Sequence, residues 1–138
     1  MINYIIFDLS EVFIRGIDGL GEKIAAHANA DKNNAQRHLQ GRKLIKLFEG
    51  RMTEDEYWTR VISEGKYDVP PDFLKQLVRE YFTPMPGNQQ EIVAGLKRQG
   101  NVVGLLSDHS REWITDIEQR YPFMQLFDAR CYSFDSGF

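Results

Sequence analysis

The chain has 138 residues, enough for one domain or for one domain carrying an insert. Hydrophobic residues make up 42% and charged residues 27%, and the net charge of −3 with a pI near 5.6 offers no footprint for nucleic acid or an anionic membrane surface. A single cysteine, Cys131, rules out an internal disulfide. Together with a start that lacks a basic n-region and the lack of any apolar run near the ~20 residues of a bilayer span, it leads us to expect a cytoplasmic protein.

Tyr4-Ile5-Ile6-Phe7 is a short continuous apolar run that stops at Asp8, a pattern that predicts a strand buried on both faces. Residues 17–28 have helical spacing and residues 35–48 continue it, with Leu39, Leu44, Ile45 and Phe48 as the buried face. Thr53-Glu54-Asp55-Glu56 reads as a capping box that opens a helix carrying Tyr57, Trp58, Val61 and Ile62. Pro70-Pro71-Asp72 opens another, with Phe73, Leu74, Leu77, Val78 and Tyr81 on one side, and Pro84 and Pro86-Gly87 end the block. A helix over 89–98, closed by Gly100, leads into a second apolar strand over 102–106. A helix over 110–121 follows, with Trp113, Ile114 and Ile117 turned inward, and then a weaker strand over 128–132. This order predicts an α/β protein: a Rossmann-like parallel sheet with right-handed crossovers and an inserted α-helical cap. The core is expected to be residues 1–15 and 85–138 and the cap residues 16–84.

Two groups stand where ligands bind in open α/β sheets, at the carboxyl ends of strands. Asp8 ends the first strand and suits either a nucleophile or a metal ligand, or else a turn cap. Ser107 ends the second, followed by Asp108, His109 and Ser110. A hydroxyl followed by main-chain N–H groups at a helix start makes a phosphate cradle, and Ser107, Asp108 or Ser110 could equally be the helix cap.

Residues 5–13, Ile-Ile-Phe-Asp-Leu-Ser-Glu-Val-Phe, resemble the first motif of the haloacid dehalogenase superfamily, and Leu105-Leu106-Ser107-Asp108 resembles its second. Pro86-Gly87 before the 89–98 helix resembles the usual lead-in to that second motif, and residues 47–58 resemble part of the helical cap in the phosphatase-like branch. The resemblance implies that Asp8 is the nucleophile and forms an aspartyl-phosphate. It also implies that Asp8 and the Ser10 main-chain carbonyl hold Mg2+, that Ser107 and Asp108 bind the phosphoryl group, and that the cap closes over the site.

The pattern is broken in two places. Ser10 stands where the family's phosphatases carry a second aspartate that moves protons, and Glu11 could replace it only through a local turn. Dehalogenases of the superfamily also lack that aspartate. No lysine follows Lys97, although residues 133–138 resemble the lead-in to a family lysine, and no fourth strand with its acids follows. A C-terminally truncated core is therefore expected, with the first strand left as a bare edge that invites a homodimer. Lys43 and Lys46 could approach the site from the cap but read as a solvated helix face. His109 reads as a surface residue at a helix start or else as a substrate contact or proton-transfer group, and Arg15 as a substrate contact. His27 and His38 have no partner at metal spacing. Cys131 reads as core, and Trp58 and Trp113 as packing residues.

The expected activity is a phosphatase-type hydrolase of a small phosphorylated metabolite. The alternatives are a catalytically inactive relative used as a binding or regulatory module, and a 2-haloacid dehalogenase.

Overall fold

The computed structural model describes residues 3–28 and 30–136; the last two residues of the 133–138 segment, Gly137 and Phe138, lie outside them. In chain order the elements are β1 (Tyr4–Phe7), α1 (Leu20–Ala28), α2 (Lys32–Leu39), α3 (Arg42–Phe48), α4 (Glu54–Gly65), α5 (Pro71–Tyr81), α6 (Gln89–Arg98), β2 (Val102–Ser107), α7 (Arg111–Arg120), a 3-10 turn (Pro122–Leu126), β3 (Ala129–Tyr132) and the short α8 (Ser133–Ser136). The three strands form a parallel sheet in the order β1-β2-β3, with Phe7 opposite Leu105 and Ser107 opposite Tyr132.

The helix expected over residues 35–48 is two helices. Gly41, at φ +91°, breaks it in a conformation that a side chain would disfavour, and α3 restarts there in a new direction. The restart rotates the buried face. Lys43 and Leu47 turn inward, whereas Ile45, expected inside, is 55% exposed. The capping box at α4 is present in both halves: Thr53 Oγ1 accepts from Glu56 N at 3.2 Å, and Glu56 Oε2 accepts from Thr53 N at 3.3 Å.

β1 is not buried on both faces. Tyr4 and Ile6 are 78% and 68% exposed, and they continue into exposed Leu106 on β2 and exposed Ala129 and Cys131 on β3. The order β1-β2-β3 steps across the sheet in one direction, so right-handed crossovers carry α6 and α7 to the same face. No described element covers the other face. Cys131, expected in the core, therefore stands on the open one. On the covered face Val103 and Leu105 are buried, and Phe13 packs edge-on against Phe7 and Phe127.

The helical block is entered and left side by side. Ile14 and Pro84 form an antiparallel bridge, Arg15 N donates to Thr83 O at 2.9 Å, and Met85 N donates to Phe13 O at 2.8 Å. Within the block α1 and α2 are in close contact at Gly21, whose N–H donates to Gln36 Oε1 at 2.8 Å. A methyl group at Gly21 would collide with the Gln36 main chain. Gly21→Ala is expected to lower the unfolding free energy by about 1–3 kcal/mol in urea titration, because the clash outweighs alanine's better helix propensity. An unchanged midpoint would show that the two helices can separate at no cost.

Candidate functional site

After β1 the chain coils tightly. Phe13 N and Ile14 N both donate to Leu9 O, Glu11 N donates to Ile14 O at 2.7 Å, and Glu11 takes the left-handed φ of +62°. The turn leaves the Asp8 side chain exposed at the carboxyl end of the strand, where its Oδ1 accepts from Leu9 N at 2.7 Å. It also brings Glu11 round to the same side, where Glu11 Oε1 accepts from Gly16 N at 2.7 Å. This is the local turn that the alternation of a strand could not supply.

Asp8, Ser10, Glu11 and Asp18 line a cavity of about 370 Å³ together with Asp108 and His109 from the end of β2. Its helical wall is Gln40, Leu44 and Phe48, and Phe82 and Trp113 form its floor. Four carboxylates face this space, and among the described residues no lysine or arginine lines it. Lys43 does not approach: it is buried, with Nζ 2.8 Å from Glu64 Oε2 and 3.0 Å from Gln40 O, not on a solvated face. Arg15 is also occupied, its guanidinium lying over the Tyr81 ring at 5.7 Å.

Ser107 does not line this cavity. The alternation along β2 turns it to the side of Val103 and Leu105, where it is 3% exposed, and it borders an adjoining depression with Arg130 and Ser133. Its hydroxyl donates to Asp108 O over 3.4 Å, a weak bond. The cap of α7 is Ser110, whose Oγ accepts from Trp113 N at 3.1 Å, so neither Ser107 nor Asp108 is used for capping.

His109, read from sequence as a surface residue or a substrate contact, is buried at 2% exposure. Its ring stacks on Phe48 and meets the edges of Phe82 and Trp113, and its Nδ1 accepts from Ser110 N at 3.1 Å. Burial pushes its pKa down to about 4. A depressed histidine pKa means that the unfolded chain binds the proton more readily than the native one. The associated stability is complete above the unfolded value near 6.5 and declines as pH falls towards about 4. Urea unfolding is expected to lose roughly 3 kcal/mol between pH 7.5 and pH 4 from this group, and a His109→Phe variant is expected to lose less over the same range. Parallel pH profiles for the two chains would contradict the assignment.

The most connected polar group was not visible in the sequence. Glu54, read only as part of the capping box, is 4% exposed and accepts from Trp58 Nε1 at 3.1 Å, Trp113 Nε1 at 2.5 Å and the Arg79 guanidinium at 2.7 and 2.9 Å. It ties α4 and α5 to α7. His27 and His38 are engaged with Lys23 O and the Tyr67 hydroxyl.

Among the described residues no group of three or more His, Cys, Asp or Glu side chains is placed to hold a metal ion. The donors at the end of β1 are the second Asp8 oxygen and the Ser10 carbonyl, which accepts no main-chain bond in the turn. That set fits magnesium, which commonly takes one or two carboxylates and fills its remaining positions with water and phosphate oxygens.

No protein-family model matches the chain. Among solved structures it superposes with a TM-score of 0.76 on a HAD-family enzyme of Bacteroides thetaiotaomicron determined with magnesium and inorganic phosphate, at 16% identity over 98% of this chain and 70% of that one. The fold is the haloacid dehalogenase-like fold. A HAD-like family hydrolase of Porphyromonas gingivalis shares it (TM-score 0.72, 18% identity, 99% of this chain and 69% of that one). So does the L-2-haloacid dehalogenase of Xanthobacter autotrophicus (TM-score 0.65, 12% identity, 99% and 59%). In sequence the chain is 30% identical over 104 residues to an uncharacterized protein of Dictyostelium discoideum, covering 72% of this chain and 44% of that protein's length. Within the haloacid dehalogenase-like fold, the Asp8 cavity occupies the crevice at the carboxyl ends of the strands. No helix among the described residues is long and apolar enough to cross a membrane.

Proposed function

We propose that the chain is a phosphatase-type hydrolase of a small phosphorylated metabolite, acting in the cytoplasm through an aspartyl-phosphate on Asp8. The observation that carries this reading is the placement of an exposed carboxylate at the end of β1, inside a cavity walled by helices. The magnesium and phosphate of the similar Bacteroides enzyme support it.

In this reading an Asp8 oxygen attacks phosphorus, and the bond to the ester oxygen breaks with its electron pair leaving on that oxygen. Water then cleaves the aspartyl-phosphate and restores the carboxylate. The Asp108 main chain is the phosphoryl-binding element at the cavity, and Ser107, buried and outside the cavity lining, joins it only if its side chain turns from the layer of Val103 and Leu105. Asp8 and the Ser10 carbonyl would hold magnesium, which would supply the positive charge that such a group needs beside carboxylates. Ser10 cannot donate a proton near neutrality, so the proton for the leaving oxygen comes from Glu11 on the cavity wall or, without it, the reaction favours esters with acidic leaving alcohols. Release of inorganic phosphate from a panel of phosphomonoesters, with and without magnesium, tests the reading. No release from any ester would end it.

A second reading, a binding module without turnover, is favoured by one observation: among the described residues no lysine or arginine lines the cavity to offset its four carboxylates. Saturable magnesium-dependent turnover would remove it, and halide release from 2-haloacids would instead favour a dehalogenase. The unpaired edge of β1 offers a second copy a place to pair, which sedimentation at two concentrations decides.

A further inference from the structure

A neutral imidazole has one nitrogen that accepts and one that carries hydrogen. In His109 the acceptor is Nδ1, fixed by the Ser110 N–H, so the hydrogen lies on Nε2. That N–H has no hydrogen-bond partner among the described residues, and although the residue as a whole is 2% exposed the nitrogen is not sealed from solvent. It is therefore a donor free to meet an acceptor that enters the cavity. The ring cannot easily turn away to find another partner. It is stacked on Phe48 at 5.8 Å between centroids and held edge-on by Phe82 and Trp113. His109 lines the cavity that also holds Asp8.

We infer that the Nε2–H of His109 is a ligand-binding donor that hydrogen-bonds a phosphoryl oxygen in the Asp8 cavity. The inference rests on the phosphatase reading of that cavity. It addresses a shortage specific to this site, which has no arginine or lysine among the described residues of its wall and whose indole N–H, Trp113 Nε1, is already committed to Glu54. A rigid uncharged donor adds attraction for the phosphoryl group without adding a buried cation to an aromatic nest. The depressed pKa of the ring keeps it uncharged, so its contribution to binding holds from weakly acidic to alkaline pH.

Two variants separate this role from packing. His109→Asn keeps an acceptor near Nδ1 for Ser110 and removes the donor at Nε2, whereas His109→Gln keeps a donor near Nε2. Both lose the ring, so both lose stability to a similar extent in urea titration. Calorimetric titration of the intact chain with inorganic phosphate in magnesium is expected to show binding weakened at least tenfold in His109→Asn and no more than a few-fold in His109→Gln, with the same ranking in KM for any turned-over ester. Equal phosphate affinity in wild type and His109→Asn, or weakening that follows stability and not the donor, overturns the inference and leaves the phosphatase reading standing. No phosphate binding by the wild-type chain, together with no ester hydrolysis, overturns both.

Discussion

Asp8→Asn is expected to abolish phosphate release, by about 10,000-fold or more, with the fold intact. The amide has no negative oxygen with which to attack phosphorus. The structural cost is small, because Asp8 is exposed and its one side-chain hydrogen bond among the described residues is accepted by Oδ1 from Leu9 N. An asparagine keeps that acceptor. The urea midpoint of the variant should therefore match the wild type to within a few tenths of a kcal/mol while turnover disappears, a combination that a collapsed site would not give. If turnover persists in the variant, Asp8 is not the nucleophile.

The largest effect on stability is expected at Glu54. Glu54→Ala leaves the Arg79 guanidinium and two indole N–H groups without their acceptor in a region where Trp58 and Trp113 are fully buried. Removing one member of a buried, multiply bonded charge pair costs about 3–5 kcal/mol, a large part of the 5–15 kcal/mol that separates a typical domain from its unfolded state. Glu54→Gln retains an acceptor for one or two of the donors and should lose less. Urea unfolding at neutral pH measures both. A loss below about 1 kcal/mol for the alanine variant would mean that water replaces the carboxylate at little cost. The charge pair joins α4 and α5 to α7, so the same substitution should also loosen the helical wall of the Asp8 cavity.

Much of the fold was legible because its signals are local. The apolar run ending at Asp8, the Thr53 capping box and the strand–helix alternation after Gly87 each depend on a few adjacent residues. Gly41 also sits in plain sight, but a helical spacing that continues on both sides of it conceals the break, and the exposure of Ile45 follows from that one residue. The open sheet face was not legible. A continuous apolar run shows that a strand can be buried on both faces, but whether it is depends on a covering layer, and two crossovers running the same way leave Tyr4, Ile6 and Cys131 without one.

The site divides in the same manner. Asp8 and Asp108 could be placed from their positions after strands. Glu11 enters the cavity only through the left-handed turn that follows Ser10, and Ser107 leaves it only because the alternation along β2 takes it inward. Glu54 depends on partners 25 and 59 residues away, Arg79 and Trp113, and no local pattern reports such a meeting. His109 carries no sequence mark of burial, since its aromatic nest is assembled from α3, the segment after α5 and α7.

The shared carboxylate of Glu54 also has an optical consequence. The chain has two tryptophans, and both indoles donate to that one group, Trp58 from α4 and Trp113 from α7. All intrinsic tryptophan emission therefore originates at the joint between the helical block and the sheet layer. Seating of the block keeps both indoles dry and the emission blue. Any parting of the two lets water reach them and shifts the emission to the red. The two indoles thus form an unlabelled fluorescent gauge of any parting of the block from the sheet layer, readable in a stopped-flow cell as a ligand is mixed with the protein.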